Sequence, residues 1–243
     1  MLKLTTNSKT KFSKNQKNTF GLLHGLPESG GTCVGATCGK GGCLDIRDGL
    51  KRRTCYVEKI TQIYKAVGKV LAENTAKVVN KPEDEIYNVL KRTVSTFARK
   101  NEGKLFFRLH WAGDFMSVEY VSAWVRVIRE FPNVRFWVYT RSFTTKDLIT
   151  PLIGLDNLSI FLSCDPNNVK EAMEVFDKYK DRAPGLGLAW MGNTDPEIKG
   201  EKFIVCPETS GKVKNADEGA CAKCRLCVNN YKTRIKNIRF LIH

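Results

Sequence analysis

LFFRLHW (residues 105–111), VRFWVYT (134–140) and LSIFLSC (158–164) are three short, mainly apolar runs rich in aromatic and β-branched residues. Between and after them, SVEYVSAWVRVIREF (117–131) and VKEAMEVFDKYK (169–180) repeat their apolar residues at helical spacing, and a short helix fits near 145–153. Strands apolar on both faces and alternating with helices read as a parallel sheet with right-handed crossovers. Working outward, GLGLAW (185–190) and KFIVC (202–206) supply two more strands, and TFGLLH (19–24) supplies the first. The expected fold class is α/β, a partial (β/α)6 barrel-like parallel sheet. Upstream, the apolar spacing from Tyr56 to Val79 predicts one amphipathic helix. A second helix, starting at Pro82-Glu83-Asp84-Glu85, runs to about Arg99, with proline and acids suiting its first turn.

Nine cysteines divide into two groups and one stray residue. Cys33, Cys38, Cys43 and Cys55 form a cysteine-rich N-terminal loop; Cys206, Cys221, Cys224 and Cys227 form a C-terminal segment; Cys164 stands alone. No export signal opens the chain, and a cytoplasmic protein keeps its thiols reduced, so metal ligation is the more economical reading than a disulfide framework. Two-residue gaps in Cys221-x2-Cys224-x2-Cys227, closed by the remote Cys206-Pro207, suit a [4Fe–4S] cluster. Zinc, the alternative metal, more often takes two separated Cys-x2–4-Cys pairs. The N-terminal four are spaced less regularly, and Cys55 precedes a helix whose positive end favours thiolate. Two [4Fe–4S] clusters are therefore expected. Cys164 reads as an ordinary buried thiol.

The chain carries 40 Lys+Arg against 25 Asp+Glu, a formal charge of +15, with 42% hydrophobic residues. That composition excludes a wholly disordered chain, and no apolar run approaches the roughly 20 residues of a membrane helix. A soluble, cytoplasmic protein is expected. The excess charge gathers at the ends, on Lys9, Lys11, Lys14 and Lys17 and on Lys223, Arg225, Lys232, Arg234, Lys236 and Arg239, which points to nucleic acid. DNA and RNA stay equally open, and a protein is the alternative partner. The organisation implied is a basic N-terminal arm (1–18), an α/β domain (19–205) with its cysteine loop (33–55), and a C-terminal iron–sulfur segment with a basic tail (206–243).

In a parallel sheet, functional groups collect at the C-terminal ends of strands. Those ends here hold His110 with Gly113-Asp114-Phe115, then Arg141, Cys164-Asp165 and Cys206. Asp114, Arg141 and His110 are the catalytic candidates. Against them stand a mutual Asp114–Arg141 ion pair that merely braces the mouth, and core packing for His110 and His24.

Taken together, Thr32-Cys33-Val34-Gly35-Ala36-Thr37, Cys55-Tyr56, Gly113-Asp114-Phe115, Tyr139-Thr140-Arg141-Ser142 and Cys206-Pro207 with the closing cysteine triplet resemble the phage "gene product 88" domain family. The resemblance implies a phage or mobile-element origin, hence the host cell's cytoplasm and a host protein as the alternative partner, and brings no activity with it. More distantly, the cysteine loop after the first strand and the Ala112-Gly113-Asp114 turn after the second are similar to radical S-adenosylmethionine enzymes. That likeness implies S-adenosylmethionine as a cofactor and a radical reaction on a nucleotide, nucleic acid or protein. Their Cys-x3-Cys-x2-Cys signature is absent here, and Asp114 stands where a Glu is usual. Three functions follow: a nucleic-acid-binding iron–sulfur protein, a radical enzyme, or a zinc-stapled protein-interaction module.

Overall fold

The computed structural model describes residues 1–36, 44–47, 50–53, 55–145, 147–229 and 237–241, with 44–47 and 50–53 described as backbone. Its centre is an all-parallel six-stranded sheet. In spatial order the strands are β4 (Phe106–Arg108), β6 (Arg135–Thr140), β7 (Leu158–Cys164), β8 (Leu186–Met191), β10 (Asn237–Phe240) and β9 (Phe203–Val205). A bend at Leu109 ends β4, and the chain continues as β5 (His110–Ala112), which pairs in parallel with β1 (Phe20–Gly21). The run 105–111, expected as one strand, thus serves two neighbours in turn.

The parallel α/β reading holds, and the six units in chain order do not. Residues 192–202 form no helix to carry a crossover from β8 to β9. The place beside β8 is taken instead by β10, from the segment expected to be a basic tail. Asn237 fixes it there, accepting from the Leu188 amide at 2.9 Å and donating to Glu201 at 2.8 Å. Among the described residues β9 pairs with β10 alone, so the sheet is open at that edge.

Side chains alternate across the sheet. Phe136, Val138, Ile160, Leu162 and Leu188 face a large core built with α3 (Glu83–Lys100), α4 (Val118–Glu130) and α5 (Val169–Tyr179). Ser117 caps α4 by accepting from the Tyr120 amide at 3.2 Å, and the three acids Glu83, Asp84 and Glu85 open α3. The helix expected over 56–79 is two helices, α1 (Tyr56–Ile63) and α2 (Lys65–Thr75), broken where Tyr64 adopts an extended backbone. An antiparallel hairpin of β2 (Leu44–Arg47) and β3 (Leu50–Arg53), unforeseen in the cysteine loop, precedes them. The short helix expected near 145–153 is reduced to single turns at Ser142–Thr144 and Thr150–Leu152. Among the described residues no helix is long and apolar enough to cross a membrane.

The opposite face presents Trp137, Tyr139, Phe161, Ala189, Ile238 and Phe240. Among the described residues no long helix covers it. It is covered by the cysteine segment, including the short α6 (Ala220–Cys224), and by the first residues of the chain. Residues 1–18 are consequently no free arm, because apolar side chains set among the lysines find burial. Leu2 and Phe12 are buried, and Phe12 stacks on Phe106 with ring centroids 4.1 Å apart while touching Trp137, Ala222 and Val228. The Cys221 amide donates to the Lys9 carbonyl at 2.9 Å, and the Gly219 amide to that of Lys11 at 2.8 Å. A Cβ on Gly219 would lie 2.3 Å from the Lys9 oxygen, so only glycine permits this approach.

Phe12 therefore joins three parts of the chain. Truncation to alanine removes the stacked ring and leaves a cavity, costing about 3 kcal/mol of unfolding free energy in a urea titration. A loss under about 1 kcal/mol would mean that the N-terminal residues only rest on the surface.

Candidate metal centre

Cys206 follows the edge strand β9, and Cys221, Cys224 and Cys227 come from α6 and the turn after it. All four line one cavity of about 520 Å³ against the second face of the sheet. Its walls include Trp137, Tyr139, Phe240 and Arg108, with Lys9 and Glu208 paired at 2.9 Å and Tyr56 and Ile60 reaching in from α1. Among the described residues no three His, Cys, Asp or Glu side chains are gathered as ligands of a single metal ion. The thiols stand around a cavity wall.

Burial dominates their chemistry. It pushes the Cys221 thiol up to about 12, with the neighbouring Arg108 charge pulling the other way and Cys206 and Cys224 adding to the rise. Burial also raises Cys227 and, less strongly, Cys224. The Tyr139 hydroxyl donates to the Cys227 sulfur, and burial holds that phenol far above its usual range. Arg108 lies over the Tyr139 ring at 5.4 Å and donates from Nε to the His110 carbonyl at 3.0 Å. An arginine in an otherwise apolar strand was the available sequence signal for this cation. Tyr139 gave none beyond its place in the period-two pattern.

Of the N-terminal four, Cys38 and Cys43 lie outside the described residues. Cys33 donates its amide to the Gly25 carbonyl at 2.8 Å, and Cys55, at the N-cap of α1, packs against Leu23, Val57 and Ala112. Both therefore flank the segment Leu23–Gly25. The turn after Cys33 sits directly on the end of β6, since a Cβ on Gly35 would meet the Arg141 carbonyl at 1.8 Å.

Beneath that turn the catalytic candidates form a buried lattice. Asp114 accepts from the Thr140 hydroxyl and the Arg141 amide, both at 2.7 Å, and from the Phe115 amide at 2.9 Å. Its own amide donates to Thr32 at 3.1 Å, tying it to the cysteine loop. Burial pushes the Asp114 carboxyl up, and these hydrogen bonds pull against it. The Arg141 guanidinium pairs at 2.7 Å with Asp165, both side chains buried, so the ion pair bracing the mouth is Arg141–Asp165 and not Arg141–Asp114. His110 is a core residue, wedged between Phe20, Phe115 and Tyr120, with Nε2 2.9 Å from the Tyr120 hydroxyl. None of the three catalytic candidates lines the cysteine cavity. Cys164 is buried, its thiol pushed up to about 12 by burial.

The basic candidates divide. Lys9 and Arg225 line the cavity, and Lys11 reaches it through its backbone bond to Gly219. Lys223 donates to the Lys214 carbonyl at 3.2 Å, and among the described residues Lys11, Lys14 and Lys17 form no ion pair. Arg239, on β10, is largely covered and pairs with Asp195 at 2.8 Å. Lys232, Arg234 and Lys236 lie outside the described residues.

The motifs that meet in this lattice, the Cys33 turn, the Gly113-Asp114-Phe115 turn and the Tyr139–Ser142 strand end, fall within residues 2–230, all of which the profile of the family described as "Gene product 88" matches. The chain belongs to the gene product 88 family. Relatives include the "Gene 88 protein" of Mycobacterium phage D29, 33% identical over 208 residues covering 82% of this chain and 84% of that protein. The "Gene 88 protein" of Mycobacterium phage L5 is 33% identical over 203 residues, covering 81% and 82%. Neither name states an activity. No solved structure matches the chain.

In this gene product 88 chain the core histidine sets a pH limit. Burial, reinforced by Arg108, lowers the His110 pKa to about 3. The folded state thus holds the neutral ring, and the stability this contributes is present above the unfolded value near 6.5 and is lost as pH falls towards 3. Below about pH 6 the unfolding free energy should drop by about 1.4 kcal/mol per pH unit more in the native protein than in a His110→Phe variant. Parallel pH profiles for the two proteins would show that His110 is not held neutral.

Proposed function

We propose that this chain is a phage iron–sulfur protein that binds nucleic acid, its C-terminal cysteines holding a [4Fe–4S] cluster beneath a basic surface made by both chain ends. The observation that carries the reading is the meeting of Cys206, Cys221, Cys224 and Cys227 around one cavity, closed by backbone bonds from Lys9 and Lys11. The buried Cys221, Cys224 and Cys227 thiols resist ionisation alone, and a cluster's irons would supply the positive charge that stabilises thiolate ligands. A cubane spreads its ligands one to each iron, whereas zinc needs four sulfurs about 2.3 Å from one atom, and thiols around a wall suit the former. Arg108 would offset the cluster's negative charge, and the Tyr139 hydroxyl would donate to the Cys227 sulfur. Such hydrogen bonds and burial are what set a cluster's potential. In this reading Cys33, Cys38, Cys43 and Cys55 are the ligands of a second cluster, as their grouping in the sequence suggests.

Nucleic acid follows from charge. Residues 9–11 and 219–221 hydrogen-bond each other, which sets the N-terminal lysines beside the segment that carries Lys212, Lys214 and Lys223. Phosphates gripped there release counterions, and binding weakens steeply with salt. The reading places the protein in the reducing cytoplasm of the host, where free thiols persist.

A second reading, radical chemistry on S-adenosylmethionine, draws support from one observation. Tyr56 and Ile60, directly after Cys55, enter the same cavity, whose 520 Å³ lies within the range of small-molecule sites.

Iron, sulfide and zinc measured on anaerobically purified protein test both readings. The first predicts about eight irons per chain, falling to about four in a Cys221→Ser/Cys224→Ser variant, with nucleic-acid affinity dropping between roughly 50 and 200 mM salt. An electron paramagnetic resonance spectrum that S-adenosylmethionine shifts would favour the second. Stoichiometric zinc without iron would overturn both and leave a zinc-stapled module for a host protein.

A further inference from the structure

Lys9 and Arg108 both line the cysteine cavity, and they differ in what balances their charge. Lys9 is neutralised by Glu208 at 2.9 Å, whereas Arg108 forms no ion pair among the described residues. The half-buried Arg108 side chain donates from Nε to the His110 carbonyl at 3.0 Å, and this bond fixes the guanidinium over the Tyr139 ring at 5.4 Å. Among the described residues no other group accepts a hydrogen bond from that side chain. A cation withdrawn from water without a counter-ion is destabilising unless an anion completes its surroundings. The sulfurs supply the place for one. Against the dominant effect of burial, Arg108 favours the Cys221 thiolate, the Leu226 amide favours that of Cys224, and the Tyr139 hydroxyl favours that of Cys227. Each sulfur of the triplet thus has its own positive partner: a cation, an N–H and an O–H.

We propose that Arg108 makes the C-terminal cysteine site a one-electron redox centre, acting as the fixed counter-charge that stabilises its reduced form. The inference rests on the [4Fe–4S] reading above and gives that cluster a role beyond holding the fold. Reduction adds one negative charge to a cluster that four thiolates already make anionic. Attraction to a fixed cation grows in proportion to the charge of the site, and it strengthens in an apolar cavity. Arg108 therefore favours the reduced form over the oxidised one, while the hydrogen bonds at Cys224 and Cys227 favour thiolates in both. A guanidinium keeps its proton at any ordinary pH, and burial holds the Tyr139 phenol protonated. One electron then enters from a low-potential one-electron donor, with no bond broken and no proton moved. Arg108 is a positioning residue in this scheme, acting through charge on the sulfurs.

The test is a redox titration followed by electron paramagnetic resonance on full-length, anaerobically purified protein, with iron counted in every variant. The signal missing from the Cys221→Ser/Cys224→Ser variant belongs to this site. Arg108→Gln, with its iron retained, should lower the equilibrium constant for reduction about tenfold, a downward shift of about 59 mV for one electron. Arg108→Lys should recover most of that shift, because it keeps the charge. Glu208→Gln removes the carboxylate whose effect on Cys221 opposes that of Arg108, and it should move the midpoint upward. A midpoint that ignores these charge changes would overturn the proposal, as would a C-terminal signal that dithionite cannot produce. If Arg108→Gln holds no iron at this site, the Arg108→Lys and Glu208→Gln midpoints decide by the same rule. Native protein without iron fails the cluster reading and this inference together. About eight irons with an unmoved midpoint leave that reading standing and overturn this inference alone.

Discussion

Trp137, Tyr139, Phe161, Ile238 and Phe240 make one face of the sheet as apolar as the other, and among the described residues no long helix lies across it. A parallel sheet has to be buried on both sides. The helices α3, α4 and α5 meet that demand on one side with ordinary side-chain packing. On the other side, beside Tyr56 and Ile60 of α1 at the cavity, the described residues supply the chain's first dozen and the segment 206–229, which are polar, glycine-containing and poor in helix. They cover the face by joining to one another, through the Lys9 and Lys11 carbonyls, Phe12 and Val228, and they enclose four thiols in doing so. Covering the sheet and building the cysteine cavity are the same structural event. Cluster binding would complete that cover, since ligands that order an irregular segment contribute to folding directly.

The second constraint is the lattice at the strand ends. Asp114, at the end of β5, binds the hydroxyl and backbone at the end of β6, and Arg141 from β6 pairs with Asp165 from β7. Three strand ends are thus fixed in register by buried charge and hydrogen bonds, and the Cys33 turn rests on them through Gly35 and Thr32. A buried carboxylate with its acceptor sites engaged positions the cysteine loop; it has little capacity left to act on a substrate. The same residues that look catalytic by location are those that a loop of glycines and threonines needs as its floor.

How much of this the sequence discloses depends on the length of the signal. LSIFLSC became β7 over the same residues, and the helices at 83–100, 118–130 and 169–179 follow their apolar spacing closely. Long periodic segments declare themselves because burial demands the period. Four short elements did not. NIRF at 237–240 is too brief to stand out from a basic tail, and its strand exists because β8 lacks a neighbour. The hairpin at 44–53 carries an Asp-Gly turn signal between Leu-x-Ile and Leu, but its strands are short and sit among spaced cysteines that also suit ligand loops. The split at Tyr64 leaves the apolar period nearly unbroken and is invisible to it. The inward place of Phe12 was hidden by the lysines around it. At the site, the cysteine groups were legible from spacing, while Arg108 and Tyr139 became visible as neighbours of the thiols only once the sheet was assembled.

Hydrogen–deuterium exchange on anaerobically purified protein, before and after removal of iron by a chelator, tests whether a cluster completes the cover over the sheet. If a cluster completes the cover over the sheet, the amides of Gly219 and Cys221, which donate to Lys11 and Lys9, are protected in the loaded protein and exchange together once iron is removed, while those of β7 stay protected. Unchanged protection at Gly219 and Cys221 after iron removal would contradict it, showing that apolar contact alone closes the face.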